Sequence, residues 1–403
     1  MSVELIQGAR VIVDDRIEVT SVRIEAGLIT GLDVARDGAT IVPGKGRLLA
    51  PAFVDIHGDA FERQIMPRPG VTVPMDVALL ETDRQLAANG IATAYHALTL
   101  SWEPGLRSVD TGWQVVRGIA ALRDRLTADN RIQLRWETFC PEAEPLIAHV
   151  LAGPDRQALA FNDHTTMALL HPAVALQDRP FDHAQDFPVT DMTAPEFLHK
   201  MGERAKRSRM TTADFVTLIT QVWGRRAEVP AHIARIAALA RAHDIPMLSH
   251  DDTQVQTRDY FRDLGARLAE FPMHERVVLA ARAAGDQIVL GAPNAMRGGS
   301  HLGSPAAGDM VARGLCDILA SDYYYPSMLG AVVRLHADRV APLPALWKLV
   351  AANPAAAMGL TDRGRIAPGL RADLLLLDWP DGGTPAPLRT WVAGRSGYSA
   401  LPT

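Results

Sequence analysis

Residues 48–59, LLAPAFVDIHGD, run from an apolar stretch directly into His57 and Asp59. The apolar part predicts a β-strand over about 51–57. His57 and Asp59 are two residues apart, so in an extended chain their side chains point the same way. Two ligands of one cation need this arrangement. The segment therefore predicts a strand that carries part of a metal site at its carboxyl end.

Seven more apolar stretches follow, and amphipathic helical patterns separate most of them. One such helix is MDVALLETDRQLAANG, residues 75–90, which places Val77, Leu80 and Leu86 on one face and ends at Gly90. The eight predicted strands lie at about 51–57, 91–99, 131–138, 157–163, 246–250, 267–271, 287–291 and 316–322. Strands that alternate with helices in this way predict an α/β fold, a (β/α)₈ TIM barrel over residues 51–362. The irregular, proline-containing segment 165–195 predicts a long excursion over one face of the barrel.

The two ends of the chain have a different texture. Residues 1–50 and 363–403 contain short β-branched and apolar runs divided by Gly and Asp, which predict strands joined by tight turns. We expect both ends to pair into one small β-sandwich domain beside the barrel.

Composition limits the possible functions. The chain has 403 residues, with 41 Lys and Arg against 46 Asp and Glu, for a net charge of −5. This balance argues against binding to nucleic acid or to an anionic membrane, but local basic residues could still hold a small anionic substrate. No apolar run reaches about 18 residues and no signal-peptide pattern is present, so we expect a cytoplasmic enzyme. A homo-oligomer is compatible with the sequence.

Polar residues follow several other predicted strands. In a barrel of this kind the chemistry lies at the carboxyl ends of the strands. Singly, each residue could cap a strand; together they predict a metal site. The strand-end residues are Glu137, Asp163, His164, His250, Asp251, Asp252 and Asp322.

Imidazole and carboxylate ligands without thiolate suit Zn²⁺, Mn²⁺ or Fe²⁺, and the only cysteines, Cys140 and Cys316, cannot build an all-cysteine site. The candidates exceed what one tetrahedral ion needs, so we expect two divalent ions, with Zn²⁺ the first choice. Glu137 is the predicted bridging carboxylate. Asp322 is the predicted catalytic base, which takes the proton of the attacking hydroxide.

A glycine-rich stretch follows the seventh predicted strand, GAPNAMRGGSHLGSPAAGDM at residues 291–310. Glycines leave backbone amides free to approach an anion, and Arg297, Ser300 and His301 add charged or polar donors. Loops after strands seven and eight of such barrels often bind phosphate. Arg68, in MPRPG, could reach the same anion.

Several of these motifs resemble the PhnM-type amidohydrolases of the carbon–phosphorus lyase pathway. The resemblance rests on LLAPAFVDIHGD, MPRPG, LSHDD, LAEFP, GAPNAMRGGSH and LASDYYYP, and it spans about residues 44–378. It implies a metal-dependent hydrolase of phosphonate metabolism that cleaves α-D-ribose 1-methylphosphonate 5-triphosphate to the 5-phosphate and pyrophosphate. The metal ligands it implies are His57, Asp59, Glu137, His164, His250 and Asp322. The substrate-binding residues it implies are Arg68, Arg297 and His301.

Two alternatives remain open at this stage. The chain departs from the family pattern at Gly58 and Ala60 and again over residues 165–183, so the same metal site could instead hydrolyse an amide or cyclic amide. A non-catalytic partner in a multi-enzyme pathway would show degraded ligands, whereas every candidate position here is filled by a competent residue.

Overall fold

The computed structural model describes residues 3–300 and 303–401. Its strands are β1 (Glu4–Val13), β2 (Arg16–Glu25), β3 (Leu28–Leu32), β4 (Thr40–Pro43), β5 (Leu48–Pro51), β6 (Phe53–Gly58), β7 (Ile91–Leu100), β8 (Asp129–Glu137), β9 (Ala158–Asn162), β10 (Met247–His250), β11 (Leu268–Glu270), β12 (Gln287–Gly291), β13 (Ile318–Ala320), β14 (Leu374–Asp378), β15 (Ala386–Val392) and β16 (Arg395–Ser399). They form two sheets of eight strands each.

Helices fill most of the connections between the strands β6 to β14. They are α1 (Glu62–Ile65), α2 (Met75–Ala88), α3 (Val109–Leu122), α4 (Glu144–Leu151), α5 (His164–Leu169), α6 (Pro195–Arg207), α7 (Thr212–Trp223), α8 (Val229–Ala242), α9 (Val255–Asp263), α10 (Glu275–Ala283), α11 (Ala292–Arg297), α12 (Ala307–Ala312), α13 (Ser327–Ala337), α14 (Leu343–Lys348) and α15 (Ala352–Ala357). Among the described residues, no helix is both long and apolar enough to cross a membrane.

The eight strands β6 to β13 form the barrel, in chain order and all parallel. Each lies where the sequence predicted a strand, so the predicted barrel is confirmed. All ten residues of β7 are buried, as expected for a strand covered by the barrel interior on one face and by helices on the other. Its Tyr95 packs inside with Val54 and Leu248, whereas Leu98 packs outward against helices.

The ring closes where β6 meets the end of β13. Gly58 forms a parallel bridge with Asp322. The Asp322 amide donates to the carbonyl of His57 over 2.9 Å, and the Asp59 amide donates to the carbonyl of Asp322 over 2.9 Å. The closing hydrogen bonds therefore hold three of the predicted ligands next to one another.

The two ends of the chain share the second sheet, in the order β16-β15-β14-β5-β1-β2-β3, with β4 paired to β1. Strand β14 runs antiparallel to β5, the strand that leads into the barrel. The prediction that both ends join in one small β structure is confirmed. The domain boundaries at residues 50 and 363 stay a prediction.

The excursion expected over 165–195 follows β9. After the short helix α5 the chain is largely irregular until α6, and α7 then leads to α8. Helices α5, α6 and α7 share a small apolar core of their own, built from Leu169, Phe197, Met201, Phe215 and Ile219. This core holds α6 beside the carboxyl ends of the barrel strands.

Candidate metal centre

Three groups of metal-ligating side chains occur at the carboxyl ends of the barrel strands, and within each group the ligand atoms lie within 4.8 Å of one another. The groups are His57, Asp59 and Asp322; His164, His250 and Asp251; and His57, His250 and Glu270. Five of the six predicted ligands belong to these groups. The barrel therefore brings side chains from β6, β13, β10 and the start of α5 into one centre.

Asp322 joins the first group through an unusual backbone conformation. Its φ is +54°, in the left-handed region, and the hydrogen bonds that close the barrel fix this geometry. Burial and the nearby carboxylate of Asp59 raise the pKa of Asp322 to about 6. This carboxyl group can therefore exchange a proton near neutral pH.

The second group contains two imidazoles and a carboxylate. The Nε2 atoms of His250 and His164 lie 3.5 Å and 3.8 Å from Oδ2 of Asp251. Asp251 also has a left-handed backbone, with φ at +58°, and its amide donates to the carbonyl of Glu270 over 3.0 Å. The turn after β10 thus directs the Asp251 carboxylate toward both imidazoles.

Glu270, at the end of β11, orients the two buried histidines. Its Oε1 lies 3.0 Å from Nδ1 of His57 and its Oε2 lies 2.8 Å from Nδ1 of His250. Gln133 donates to Oε1 over 2.6 Å. Burial opposes the ionised form, but the two imidazoles outweigh it and hold the pKa of Glu270 well below its usual range. A carboxylate that fixes the far nitrogen of an imidazole is a common support for metal-binding histidines.

Glu137 has the same relation to His164. Its Oε1 lies 2.6 Å from Nδ1 of His164, and the His164 amide donates to Oε2 over 3.0 Å. Burial opposes the ionised form, but His164 outweighs it and lowers the pKa of Glu137 to about 2. None of the three ligand groups found among the described residues includes Glu137, so its bridging role stays a prediction.

Arg135 lies between the groups. Its Nη2 is 2.8 Å from Nε2 of His250 and 3.5 Å from Nε2 of His164, and its Nη1 is 3.7 Å from Oδ2 of Asp59. A guanidinium only donates hydrogen bonds, so Nε2 of His250 must offer its lone pair and the ring proton must lie on Nδ1, toward Glu270. A metal would bind through the same lone pair of Nε2, which the guanidinium occupies in this structure.

The residues present fit a divalent cation. Both ring nitrogens of His57 are buried and, among the described residues, have no hydrogen-bond partner, although a buried polar nitrogen normally has one. The 3.0 Å approach of Nδ1 to Glu270 is therefore a close contact and not a hydrogen bond. The surrounding donors are imidazole nitrogens and carboxylates. Burial raises the pKa of both Cys140 and Cys316 to about 12, so neither supplies a thiolate. This donor set suits several divalent metals and does not select one.

Two adjoining cavities open at this centre. The smaller, about 380 Å³, contains Asp59, His250, Asp251 and Asp322, and Arg297 lines it at the end of α11. The larger, about 860 Å³, lies between the centre and α6. Arg297 therefore lies at the site, as predicted.

Arg68, another predicted substrate-binding residue, is not brought to the centre. Arg68 is exposed in a turn closed by a bridge to Val71, and it lines neither cavity. Arg209 donates to the carbonyl of Gly70 over 2.6 Å and so ties this turn to the chain after α6. His301 lies outside the described residues. The roles of all three predicted substrate-binding residues stay predictions.

The sequence reasoning missed Glu270, Arg135 and Arg107. Glu270 lies at the end of the sixth predicted strand, so the strand-end rule that selected the other candidates could have found it. Arg135 is two residues before Glu137, so strand alternation directs both side chains to the same side. Arg107 has no such signal: it lies in a loop after β7 and lines both cavities, with its guanidinium held by Glu62 at 2.8 Å.

The chain is similar to several known proteins in sequence or in fold. A curated relative, alpha-D-ribose 1-methylphosphonate 5-triphosphate diphosphatase of Escherichia coli (strain K12), is 29% identical over 391 residues, which is 92% of this chain and 94% of the relative. Among solved structures, phenylurea hydrolase B is 15% identical with a TM-score of 0.61, covering 98% of this chain and 96% of the other.

A β-aspartyl dipeptidase from Fervidobacterium islandicum AW-1 is 13% identical with a TM-score of 0.61, covering 99% of this chain and 97% of the other. At these identities the solved structures establish the shared fold alone. A family model described as the amidohydrolase family matches residues 165–398, more than half of the chain. With a barrel whose strand ends carry histidines and carboxylates, the chain therefore belongs to the amidohydrolase family.

Proposed function

We propose that this hydrolase cleaves α-D-ribose 1-methylphosphonate 5-triphosphate to the 5-phosphate and pyrophosphate, with two divalent ions, Zn²⁺ the first choice, in the centre. The observation that carries the proposal is the 29% identity to the diphosphatase along nearly the full length of both chains. The geometry supports it, because two ligand groups lie side by side and share a cavity with Arg297.

The metal ligands we assign are His57, Asp59 and Asp322 for one ion, and His164, His250 and Asp251 for the other. Bound divalent ions would supply Lewis acidity toward a phosphoryl oxygen and would lower the pKa of a bound water. Glu270 and Glu137 hold the imidazoles by their Nδ1 atoms and so keep Nε2 directed at the centre.

Asp322 is the proposed proton acceptor. In the metal-free protein the pKa of Asp322 is raised to about 6, so this carboxylate accepts a proton more readily than an ordinary aspartate. Its position at the closing seam of the barrel fixes the carboxylate relative to Asp59. Glu137 and Glu270 are poorer acceptors, since their pKa values are lowered.

Cationic side chains can stabilise the negative charge of the pyrophosphate leaving group. Cleavage between the α and β phosphorus atoms leaves negative charge on pyrophosphate, and arginines are well suited to bind phosphate oxygens. Arg297 lines the smaller cavity, and the residues that follow it, Gly298 and Gly299, have φ values of +82° and +156°. We assign this end of the smaller cavity to the pyrophosphate.

The test combines ³¹P NMR with metal analysis of the purified protein. Incubation with the ribose methylphosphonate triphosphate should release pyrophosphate, with about two divalent ions per chain, and Asp322→Asn should lose most turnover. Metal without pyrophosphate release would contradict the proposal and would favour hydrolysis of an amide or cyclic amide by the same centre.

A further inference from the structure

The larger cavity extends the metal centre toward α6. It shares Arg107, His164 and Met167 with the smaller cavity, so the two form one continuous space that passes the candidate ligands. Arg297 lies on one side of the centre and α6 on the other. A substrate that reacts at the centre can therefore extend in both directions.

The charged side chains that line the larger cavity are unevenly paired. Each of its carboxylates contacts a basic side chain: Glu62 contacts Arg107, Glu103 contacts Arg204, Glu137 contacts the imidazole of His164, and Glu203 contacts Lys206. Lys200 and Arg207, both on α6, also line this cavity. Within the part of the chain that the structure describes, neither side chain forms an ion pair with a carboxylate. The α6 side of the cavity thus presents two cations, Lys200 and Arg207, with which no described carboxylate forms an ion pair.

Lys200 is the better placed of these two cations. Its Nζ donates one long hydrogen bond, 3.5 Å, to the carbonyl of Ala168. Ala168 follows His164 by four residues on α5, which is about one helical turn. Burial and the neighbouring guanidinium of Arg204 lower the pKa of Lys200, as expected for an ammonium that lacks a counter-charge. An anionic group of a ligand would supply that counter-charge.

We propose that Lys200 and Arg207 bind the anionic 1-phosphonate of the substrate and so determine its specificity. This inference rests on the proposed function. The substrate has a triphosphate at one end and a phosphonate at the other. The cleaved bond, between the α and β phosphorus atoms, separates the pyrophosphate from the ribose 5-phosphate that carries the phosphonate. With pyrophosphate in the smaller cavity beside Arg297, the ribose and its phosphonate must extend from the centre into the larger cavity.

The shape of the larger cavity agrees with this direction. Its volume of about 860 Å³ is more than twice that of the smaller cavity, about 380 Å³, and it includes apolar residues such as Met66, Met167 and Leu170. A sugar ring can pack on such a surface while its charged substituent reaches α6. Because Lys200 does not touch the centre's ligands, it is expected to affect binding rather than the chemical step.

The experiment measures KM and kcat for two substrates: the ribose methylphosphonate triphosphate and ribose 5-triphosphate, which lacks the phosphonate. Lys200→Ala should raise KM for the first about tenfold, the loss expected for one charge-assisted hydrogen bond, and should leave KM for the second within about twofold. Lys200→Arg, which keeps the charge, should restore most of the difference. The value of kcat should be unchanged for both substrates.

Lys45→Ala is the control, because it removes an exposed lysine between β4 and β5 that lines neither cavity. It should change neither KM. Equal rises in KM for both substrates in Lys200→Ala would assign the lysine to the triphosphate and overturn the inference. An unchanged KM for both substrates would also overturn the inference. If the wild-type protein cleaves neither substrate, the proposed function itself fails, which is a different outcome.

Discussion

Replacing Asp322 by Asn is expected to stabilise the metal-free protein. Burial and the Asp59 carboxylate make the ionised form of Asp322 unfavourable in the folded state, which raises its pKa from 3.8 to about 6. A carboxyl group whose pKa is higher in the folded than in the unfolded protein contributes stability at pH values below its unfolded-state pKa. That stability is lost as the pH rises through the folded-state pKa. Asparagine has nearly the same shape and no charge, so it avoids the cost at every pH.

The magnitude follows from the shift. About two pKa units at ~1.36 kcal/mol each give about 3 kcal/mol in the free energy of unfolding at pH 8. At pH 4.5 most of the folded-state carboxyl is already protonated, and the advantage of Asp322→Asn falls to about 1 kcal/mol. The variant should therefore gain most where the wild type is most strained electrostatically.

The assay is urea unfolding of chelator-treated protein at both pH values. Asp381→Asn is the control, because Asp381 is an exposed residue between β14 and β15, and its replacement should change stability at neither pH. A gain in Asp322→Asn that is equal at pH 8 and pH 4.5, or no gain at pH 8, would refute the electrostatic reasoning. Steady-state kinetics of the same variant with metal restored should give a kcat far below that of the wild type.

Three other changes test the support of the centre and the fold. Glu270→Gln removes the charge that orients two imidazoles and should weaken metal binding roughly 10–100-fold, measured by titration against a chelating dye. Gly58→Ala would place a Cβ 2.7 Å from Oδ2 of Asp55 and should lower stability by about 1–3 kcal/mol, measured by urea unfolding. Arg363→Ala removes a 2.6 Å hydrogen bond to Asp129, whose carboxylate keeps the guanidinium of Arg131 as a partner. The free energy of unfolding should fall by about 2 kcal/mol in the same assay.

Much of the fold follows from local pattern. Each barrel strand is a short apolar run that ends in polar residues, and this pattern is visible one segment at a time. The strand ends of a parallel barrel meet at one face, so the position of His57, His250 and Asp322 in a common centre also follows from the sequence. The existence of α2 and its end before Gly90 are predicted equally well. Its predicted apolar face is wrong, because Val77 is exposed and Leu80 is only half-buried, whereas Ala78, Leu79 and Leu86 are buried.

What the sequence could not supply are relations between distant strands. That Glu137 contacts His164 while Glu270 contacts both His57 and His250 depends on the angle between neighbouring strands, which no local pattern encodes. Arg107 reaches the centre from a loop after β7, where its pairing with Glu62 on α1 holds it. The exposed position of Arg68 likewise depends on how the turn that follows α1 folds.

The closing bridge between Gly58 and Asp322 has a consequence for timing during synthesis. On the ribosome β6 emerges early, and β13 emerges only after every other barrel strand. Almost the whole barrel must therefore be synthesised before the backbone hydrogen bonds at the seam can bring Asp322 next to His57 and Asp59. A nascent or truncated chain lacks Asp322, one of the proposed ligands of this group. Under the proposed function, metal binding at this group would therefore belong to the last stage of folding.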